Sequence, residues 1–239
     1  DTIWVFLECW KKHLIEDIGF DSKLVSVLPH GVDFDRFMDI PQGEAKEKMG
    51  FKPDDFLILN MNRNSVRKCW ETTIKSFLEL LKRQNMDPSI KLYCGCMMKT
   101  EDGCDIPNVI YHESVRRGLD PETVLNKHVF LNPTPTYLAD SGVNEVYNAA
   151  DVGMNTCCGE GFGLTTLEHA YFNRPQIVSG VPALKETLGE YANVVEPMVW
   201  ILTHAMEKHM GDMGYSEYTE FTDYLEYYFK HREDRPQSR

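Results

Sequence analysis

Short runs rich in β-branched and aromatic residues alternate along this chain with segments whose apolar residues return every three or four positions. This alternation limits the fold more than any other feature of the sequence. Ile3-Trp4-Val5-Phe6-Leu7, Leu24-Val25-Ser26-Val27-Leu28, Phe56-Leu57-Ile58-Leu59-Asn60, Ile90-Lys91-Leu92-Tyr93-Cys94, Val109-Ile110-Tyr111, Val129-Phe130-Leu131, Val152-Gly153-Met154-Asn155 and Gln176-Ile177-Val178 read as strands or extended runs. Between them, Trp70, Ile74, Phe77, Leu78 and Leu81 mark one face of a helix, a short helix follows Pro121, and residues 142–150 and 164–172 carry helical patterns. Repeated strand–helix–strand units predict an α/β fold, a Rossmann-like and mostly parallel sheet with helices on both faces. Such sheets bind ligands at the carboxyl ends of their strands, so the loops after strands are where function is expected. Beyond Pro197 the pattern weakens: residues 200–210 read as helical, 211–214 as a break, 215–232 as a Tyr- and Glu-rich helix, and 233–239 as a polar tail.

The 239 residues suffice for one large domain, or one complete domain with pieces of a second. A formal net charge of −12 argues against a nucleic-acid partner or a polybasic mode of membrane attachment, because phosphate polymers are held by clustered Lys and Arg. Any anion must therefore be gripped locally. No run approaches the ~18–20 apolar residues of a membrane span, and no basic region precedes an apolar stretch at the start, so a soluble, cytoplasmic protein is expected. The chain opens on Asp1 without an initiator Met, which suggests a start inside a longer protein. Seven cysteines, an odd number, read as reduced thiols. Cys94, Cys96, Cys104 and His112 form the one metal-like cluster, but their spacing departs from the usual zinc pairing; Cys94 reads better as a small buried hydrophobe, with Cys96 and Cys104 on its loop. No metal is expected.

Two loops carry the candidate chemistry. In Cys158-Gly159-Glu160-Gly161-Phe162-Gly163-Leu164-Thr165-Thr166-Leu167-Glu168, three alternate glycines lie between an extended run and a helix. They let backbone N–H groups at the helix start approach an anion closely, and the helix adds its partial positive charge. A dinucleotide fingerprint would place its glycines near the first strand with an acid about twenty residues on, and neither condition holds. Taken singly, Glu160 reads as a solvated acid and Glu168 as a helix-surface carboxylate. Together, eight positions apart around a phosphate-binding turn, they suit a ligand with hydroxyls on both sides of a diphosphate, because an ionised carboxylate accepts from two adjacent hydroxyls at once. A nucleotide sugar is such a ligand. The second loop, Asn60-Met61-Asn62-Arg63-Asn64-Ser65-Val66-Arg67-Lys68, puts three cations in an acidic chain directly after a strand. It reads either as an exposed basic loop or as the partner of a diphosphate whose negative charge grows as a glycosidic bond breaks.

The signature Glu160-x7-Glu168 with Gly161-Phe162-Gly163-Leu164 resembles the donor-binding, C-terminal half of retaining GT-B glycosyltransferases of the family 4 type. The resemblance covers about residues 25–197. It implies that Glu160 meets the donor sugar, that the backbone of Gly161, Phe162, Gly163, Leu164 and Thr165 meets sugar and phosphate, and that Glu168 holds the ribose diol. Arg63 and Lys68 fall where the family places a phosphate-binding Arg and a Lys five residues later, although Asn62 and Cys69 stand where the family usually has Gly; Arg67 has no assigned role. Val27-Leu28-Pro29-His30-Gly31-Val32-Asp33 is similar to the family's opening of the donor domain, and Tyr137-Leu138 matches the surroundings of its base pocket. The run 60–68 is similar to the virus-encoded branch of these enzymes.

On this basis three parts are expected: residues 1–24 as the remnant of an acceptor domain that is otherwise missing, 25–197 as the nucleotide-sugar domain, and 198–239 as a C-terminal helical segment and tail. The implied activity is retaining transfer of a hexose from a GDP- or UDP-sugar, with GDP-mannose favoured, to a glycan or other hydroxyl acceptor. Arg63, Lys68 and Glu160 serve catalysis, while Gly161, Phe162, Gly163, Leu164, Thr165, Glu168 and Leu138 bind the donor. No cofactor is implied, since the nucleotide sugar is a substrate. Lacking its acceptor half, the fragment is expected to be inactive. A non-catalytic nucleotide-sugar-binding module and a GT-B phosphorylase or epimerase remain as alternatives.

Overall fold

The computed structural model describes residues 2–131, 138–203 and 211–234. Along the chain run β1 (Ile3–Val5), α1 (Glu8–Glu16), β2 (Val25–Val27), α2 (Gln42–Lys48), β3 (Phe56–Asn60), α3 (Trp70–Arg83), β4 (Ile90–Cys94), α4 (Ile106–Arg116), α5 (Pro121–Lys127), β5 (Val129–Leu131), α6 (Asp140–Ala149), β6 (Val152–Asn155), α7 (Leu164–Tyr171), β7 (Gln176–Ser179), α8 (Pro182–Leu188), β8 (Ala192–Val195), β9 (Pro197–Thr203), β10 (Gly211–Ser216) and α9 (Tyr218–Lys230).

All five residues of β3 are buried, and successive side chains serve opposite faces of the sheet. Phe56 and Ile58 join a core with Trp70, Ile74, Phe77, Leu78 and Leu81 of α3 and with Phe221 and Leu225 of α9. Leu57 and Leu59 join the opposite core, with Ala45 of α2 and Val146, Tyr147 and Ala149 of α6. A strand covered on both sides reads as a continuous apolar run, which is why β3 was legible in the sequence. The central sheet has the order β5-β4-β3-β6-β7-β8, with every neighbouring pair parallel. From β3 the chain builds outward through β4 to β5, then returns to β6 and builds the other way. The order therefore reverses between β3 and β6, and the crevice at their carboxyl ends is where an open α/β sheet takes its ligand. Both loops singled out in the sequence leave those two strands.

Three expectations are corrected. Val109-Ile110-Tyr111 lies in α4, not in a strand: the Asp105 side chain accepts from the Asn108 N–H at 3.2 Å, Pro107 sits in the first turn, and Ile106, Ile110 and Ser114 are buried at helical spacing. Residues 200–203 belong to β9, where Val199, Trp200, Ile201 and Thr203 favour an extended chain; the rest of that expected helix, 204–210, falls outside the described residues. The expected break at 211–214 is β10, which pairs antiparallel with β9, and the final helix starts only at Tyr218, so residues 198–239 are not simply helical. Gly214 lies under the Trp200 ring, where an added Cβ would come within 2.9 Å of it. The Leu24–Leu28 run does form β2, but in a separate pair with β1. Helices α2 and α8 and strand β8 were not anticipated.

Candidate active site

The loop after β3 is shaped by asparagines before its cations come into play. Asn62 Nδ2 donates to Asn60 Oδ1 at 2.6 Å, and Asn60 Nδ2 donates to Thr73 Oγ1 at 2.7 Å. Asn64 clasps the loop after β4: its Nδ2 donates to the carbonyls of Met97 (3.0 Å) and Cys104 (2.7 Å), and its Oδ1 accepts from Cys104 N–H at 3.1 Å. Val66–Lys68 form a 3-10 turn, and Cys69 takes a left-handed backbone, φ 47°, before α3 begins. Glycine suits such a conformation best, so Cys69 holds an unusual backbone for its type.

Across the switch point, Thr156 follows β6 and fastens the two loops together. Its Oγ1 donates toward the carbonyls of Lys68 (3.2 Å) and Cys69 (3.1 Å) and lies 2.8 Å from Thr73 Oγ1, while Asn155 Nδ2 donates to Thr166 Oγ1 of α7 at 2.9 Å. Cys158 N–H adds a bond to the Arg67 carbonyl at 2.8 Å. The result brings Lys68 and Glu160 into a nearly buried ion pair, with side-chain exposures of 7% and 10%. Arg67 reaches the same carboxylate at 3.5 Å and donates to the Gly159 carbonyl at 2.9 Å. Burial works to raise the Glu160 carboxyl, but the Lys68 charge and hydrogen bond, then Arg67 and the Gly161 N–H, outweigh it and hold the carboxyl below its ordinary value. Arg67, left without a role in the sequence, is thus part of the site. Arg63 stands apart: its side chain is 73% exposed, pairs with Asp102, and lines a recess of 570 Å³ with Met97, Lys99, Thr100, Glu101 and Asp102.

Gly163 begins α7 at φ +94°, and an added Cβ there would lie 2.5 Å from a Leu184 methyl. Having no side chain, Gly163 cannot cap the helix; Thr166 and Leu167 N–H bond back to its carbonyl at 3.1 Å each, which leaves the Leu164 and Thr165 amides for another acceptor. Phe162 turns its side chain into a buried cluster with Leu7 and Ala183. At Gly161, by contrast, a Cβ would meet nothing within 4 Å. Glu168, in the second turn of α7, accepts from the buried Tyr147 hydroxyl at 2.8 Å. Desolvation raises its carboxyl, helped by Asp140 and opposed by the Tyr147 bond and by Arg36, so it lies above its ordinary value. Leu138 packs on the α2–α6 core, whereas Tyr137 lies outside the described residues. His169, buried on α7, bonds to Gln176 at 3.0 Å, and burial holds its pKa at about 3, so it stays neutral. Among the described residues, no group of three or more His, Cys, Asp or Glu side chains is placed to hold a metal.

Lys68, Glu160 and Glu168 stand out in the sequence, whereas the polar residues that hold the loops and side chains around them, Asn60, Thr73, Asn155, Thr156 and Tyr147, do not. These are single polar residues whose meaning depends on β3 and β6 being neighbours.

No family model matches the chain. Among curated proteins it is 25% identical over 169 residues to the mannosylfructose-phosphate synthase of Agrobacterium fabrum, a match covering 70% of this chain and 35% of that protein. It is 26% identical over 179 residues to the D-inositol 3-phosphate glycosyltransferase of Geodermatophilus obscurus, covering 73% and 37%. The chain thus spans little more than a third of the length of these relatives. Among solved structures, Anabaena HepE in complex with UDP-glucose superimposes with a TM-score of 0.69 at 15% identity, over 97% of this chain and 55% of that one. The chain is thus similar in sequence to part of these glycosyltransferases, and it has a fold found in solved GT-B glycosyltransferases.

Proposed function

We propose that this chain is the donor-binding half of a retaining glycosyltransferase that moves a hexose from a nucleoside diphosphate sugar to a hydroxyl acceptor. The observation that carries this reading is the meeting of Lys68 and Glu160 beside the uncapped start of α7, with Glu168 in the next turn of the same helix. In this reading Glu168 takes the ribose hydroxyls, the Leu164 and Thr165 amides take diphosphate oxygens, and Glu160 turns to the hydroxyls of the sugar. Lys68 and Arg67 neutralise the charge that collects on the diphosphate as the sugar leaves. Arg63 joins them by exchanging Asp102 for phosphate. The acceptor oxygen bonds to the anomeric carbon on the face from which the diphosphate departs, as the bond to the diphosphate breaks, and its proton passes to an oxygen of that diphosphate; attack on this face retains the anomeric configuration. The charge needed is thus supplied by side chains and backbone. That HepE is held with UDP-glucose supports a nucleotide-sugar donor for this fold. GDP-mannose is the donor we favour, on the similarity of residues 60–68 to the virus-encoded enzymes. Because the chain matches only part of its relatives, we expect it to bind the donor without turning it over until paired with an acceptor half. All seven cysteines are free, in keeping with a cytoplasmic setting.

Calorimetric titration tests the reading. The chain should bind UDP or GDP more tightly than the matching nucleoside. Glu168→Ala should weaken nucleoside and nucleotide alike, by ~1.5–3 kcal/mol, the scale of a hydrogen bond to a charged group. Unchanged affinity would remove Glu168 from the site.

A further inference from the structure

Trp10 belongs to neither loop, yet its indole N–H donates to the Gly161 carbonyl at 2.7 Å. Gly161's own N–H donates to Glu160 Oε1 at 3.1 Å. Both polar groups of this glycine are therefore held, one by the carboxylate at the centre of the site and the other by a helix from the N-terminal segment. Gly161 has no side chain to pack, and a Cβ there would meet nothing within 4 Å, so these two bonds are its restraints in a residue type with wide backbone freedom.

The helix that carries Trp10 is itself anchored. Glu186 of α8 accepts from the Glu8 N–H at 2.7 Å and the Cys9 N–H at 2.8 Å, a carboxylate placed on the positive end of α1. Beside it, the Phe6 ring stacks on His30 at 4.0 Å, and both meet Phe162 edge-on, at 6.4 and 5.3 Å. The segment read from sequence as a remnant of another domain is thus built into the wall of the glycine loop.

We infer that Trp10 is a positioning residue for the sugar-phosphate part of the donor, an inference that rests on the donor-site reading. By holding the Gly161 carbonyl it sets the plane of the Gly161–Phe162 peptide. In a trans peptide the Phe162 N–H then points away from the indole. The same bond steadies the Gly161 N–H that helps hold Glu160 beside Lys68. Glu168, assigned above to the ribose, lies in the second turn of α7 and is held by Tyr147 instead.

The test is calorimetric titration of the wild-type chain and Trp10→Phe, which keeps an aromatic ring and removes the N–H. Each is titrated with nucleoside, nucleoside diphosphate and nucleoside diphosphate sugar in the uridine and guanosine series, and thermal melts check that both are folded. In whichever series the wild type binds, the variant should lose about three- to tenfold in affinity for the nucleotide sugar, the scale of one neutral hydrogen bond, with nucleoside affinity unchanged. Equal nucleotide-sugar affinity, or an equal loss for the nucleoside, overturns the role of Trp10 while leaving the donor site standing. A wild type that binds neither series defeats the donor reading, and this inference with it. Should Trp10→Phe not fold, Glu186→Ala on the exposed side of α8 should show a smaller loss, about two- to threefold, with the same selectivity. Unaltered nucleotide-sugar affinity in that variant overturns the proposal.

Discussion

Replacing Lys68 by Met keeps most of the apolar stem in place and removes the charge that faces Glu160. Breaking a nearly buried pair by deleting one partner typically costs ~3–5 kcal/mol, because the other charge is left without compensation. Here Arg67 stays 3.5 Å from the carboxylate and the Gly161 N–H still donates to it, so a loss of about 2–3 kcal/mol at pH 7 is expected, below the full penalty. The pH dependence gives the sharper test. In the wild type the Glu160 carboxyl is held below its ordinary value, so its contribution to stability is fully present above the unfolded-state pKa, about 4.3, and is lost as pH falls through the lower folded value. In Lys68→Met the opposing burial is no longer outweighed, and the carboxyl moves upward and favours the protonated form. The stability gap between the two proteins should therefore be widest at neutral pH and narrow as the solution is acidified toward pH 4. Urea unfolding from pH 4 to pH 7.5 measures it. Adding Glu160→Gln to the variant should recover at least ~1 kcal/mol at pH 7, as expected for coupled neighbours. A gap that does not change with pH, or strictly additive losses in the double variant, would refute the pairing.

Gly161 and Gly163 should respond oppositely to alanine. Gly163→Ala should cost about 2–3 kcal/mol in stability from its left-handed backbone and the Leu184 contact, whereas Gly161→Ala should stay within ~0.5 kcal/mol yet weaken nucleotide-sugar binding at least about tenfold; denaturant melts and titrations read both. His169, whose pKa is about 3 in the fold against an ordinary 6.5, binds a proton in the unfolded chain but not in the folded one between those values. Stability should accordingly fall as pH drops from 6.5 toward 3, by at most ~1.4 kcal/mol per pH unit, and His169→Asn should flatten that slope in urea titrations. Arg63→Ala should weaken a nucleoside diphosphate far more than its nucleoside, and equal losses would confine Arg63 to its contact with Asp102.

The buried strands and the two loops of the site were legible because each leaves a local mark. A strand covered on both faces is an unbroken apolar run, and glycines or cations crowded after one are conspicuous. What was not legible depends on contacts between distant segments. Thr156 is an ordinary threonine until β6 lies beside β3 and its hydroxyl meets the Lys68 and Cys69 carbonyls. Trp10 gains meaning only when α1 is docked on α8. Val109-Ile110-Tyr111 misled because its β propensity is local, while the Asp105 cap and the burial of Ile106 and Ile110 decide for helix. The antiparallel pairing of β9 with β10 was hidden by the same competition: the glycines of β10 resembled a helix break, but one of them serves to admit the Trp200 ring.

In the proposed site one ligand lies from Glu168, across the start of α7, to Lys68 and Glu160. A crystal structure of the chain soaked with UDP-glucose and with GDP-mannose tests this most directly. The expected result is a ribose diol on Glu168, diphosphate oxygens on the Leu164 and Thr165 amides and on Lys68, and Glu160 turned to the sugar. A nucleotide seated instead in the recess of Arg63, Lys99 and Asp102, with Glu168 still bound only to Tyr147, would contradict it.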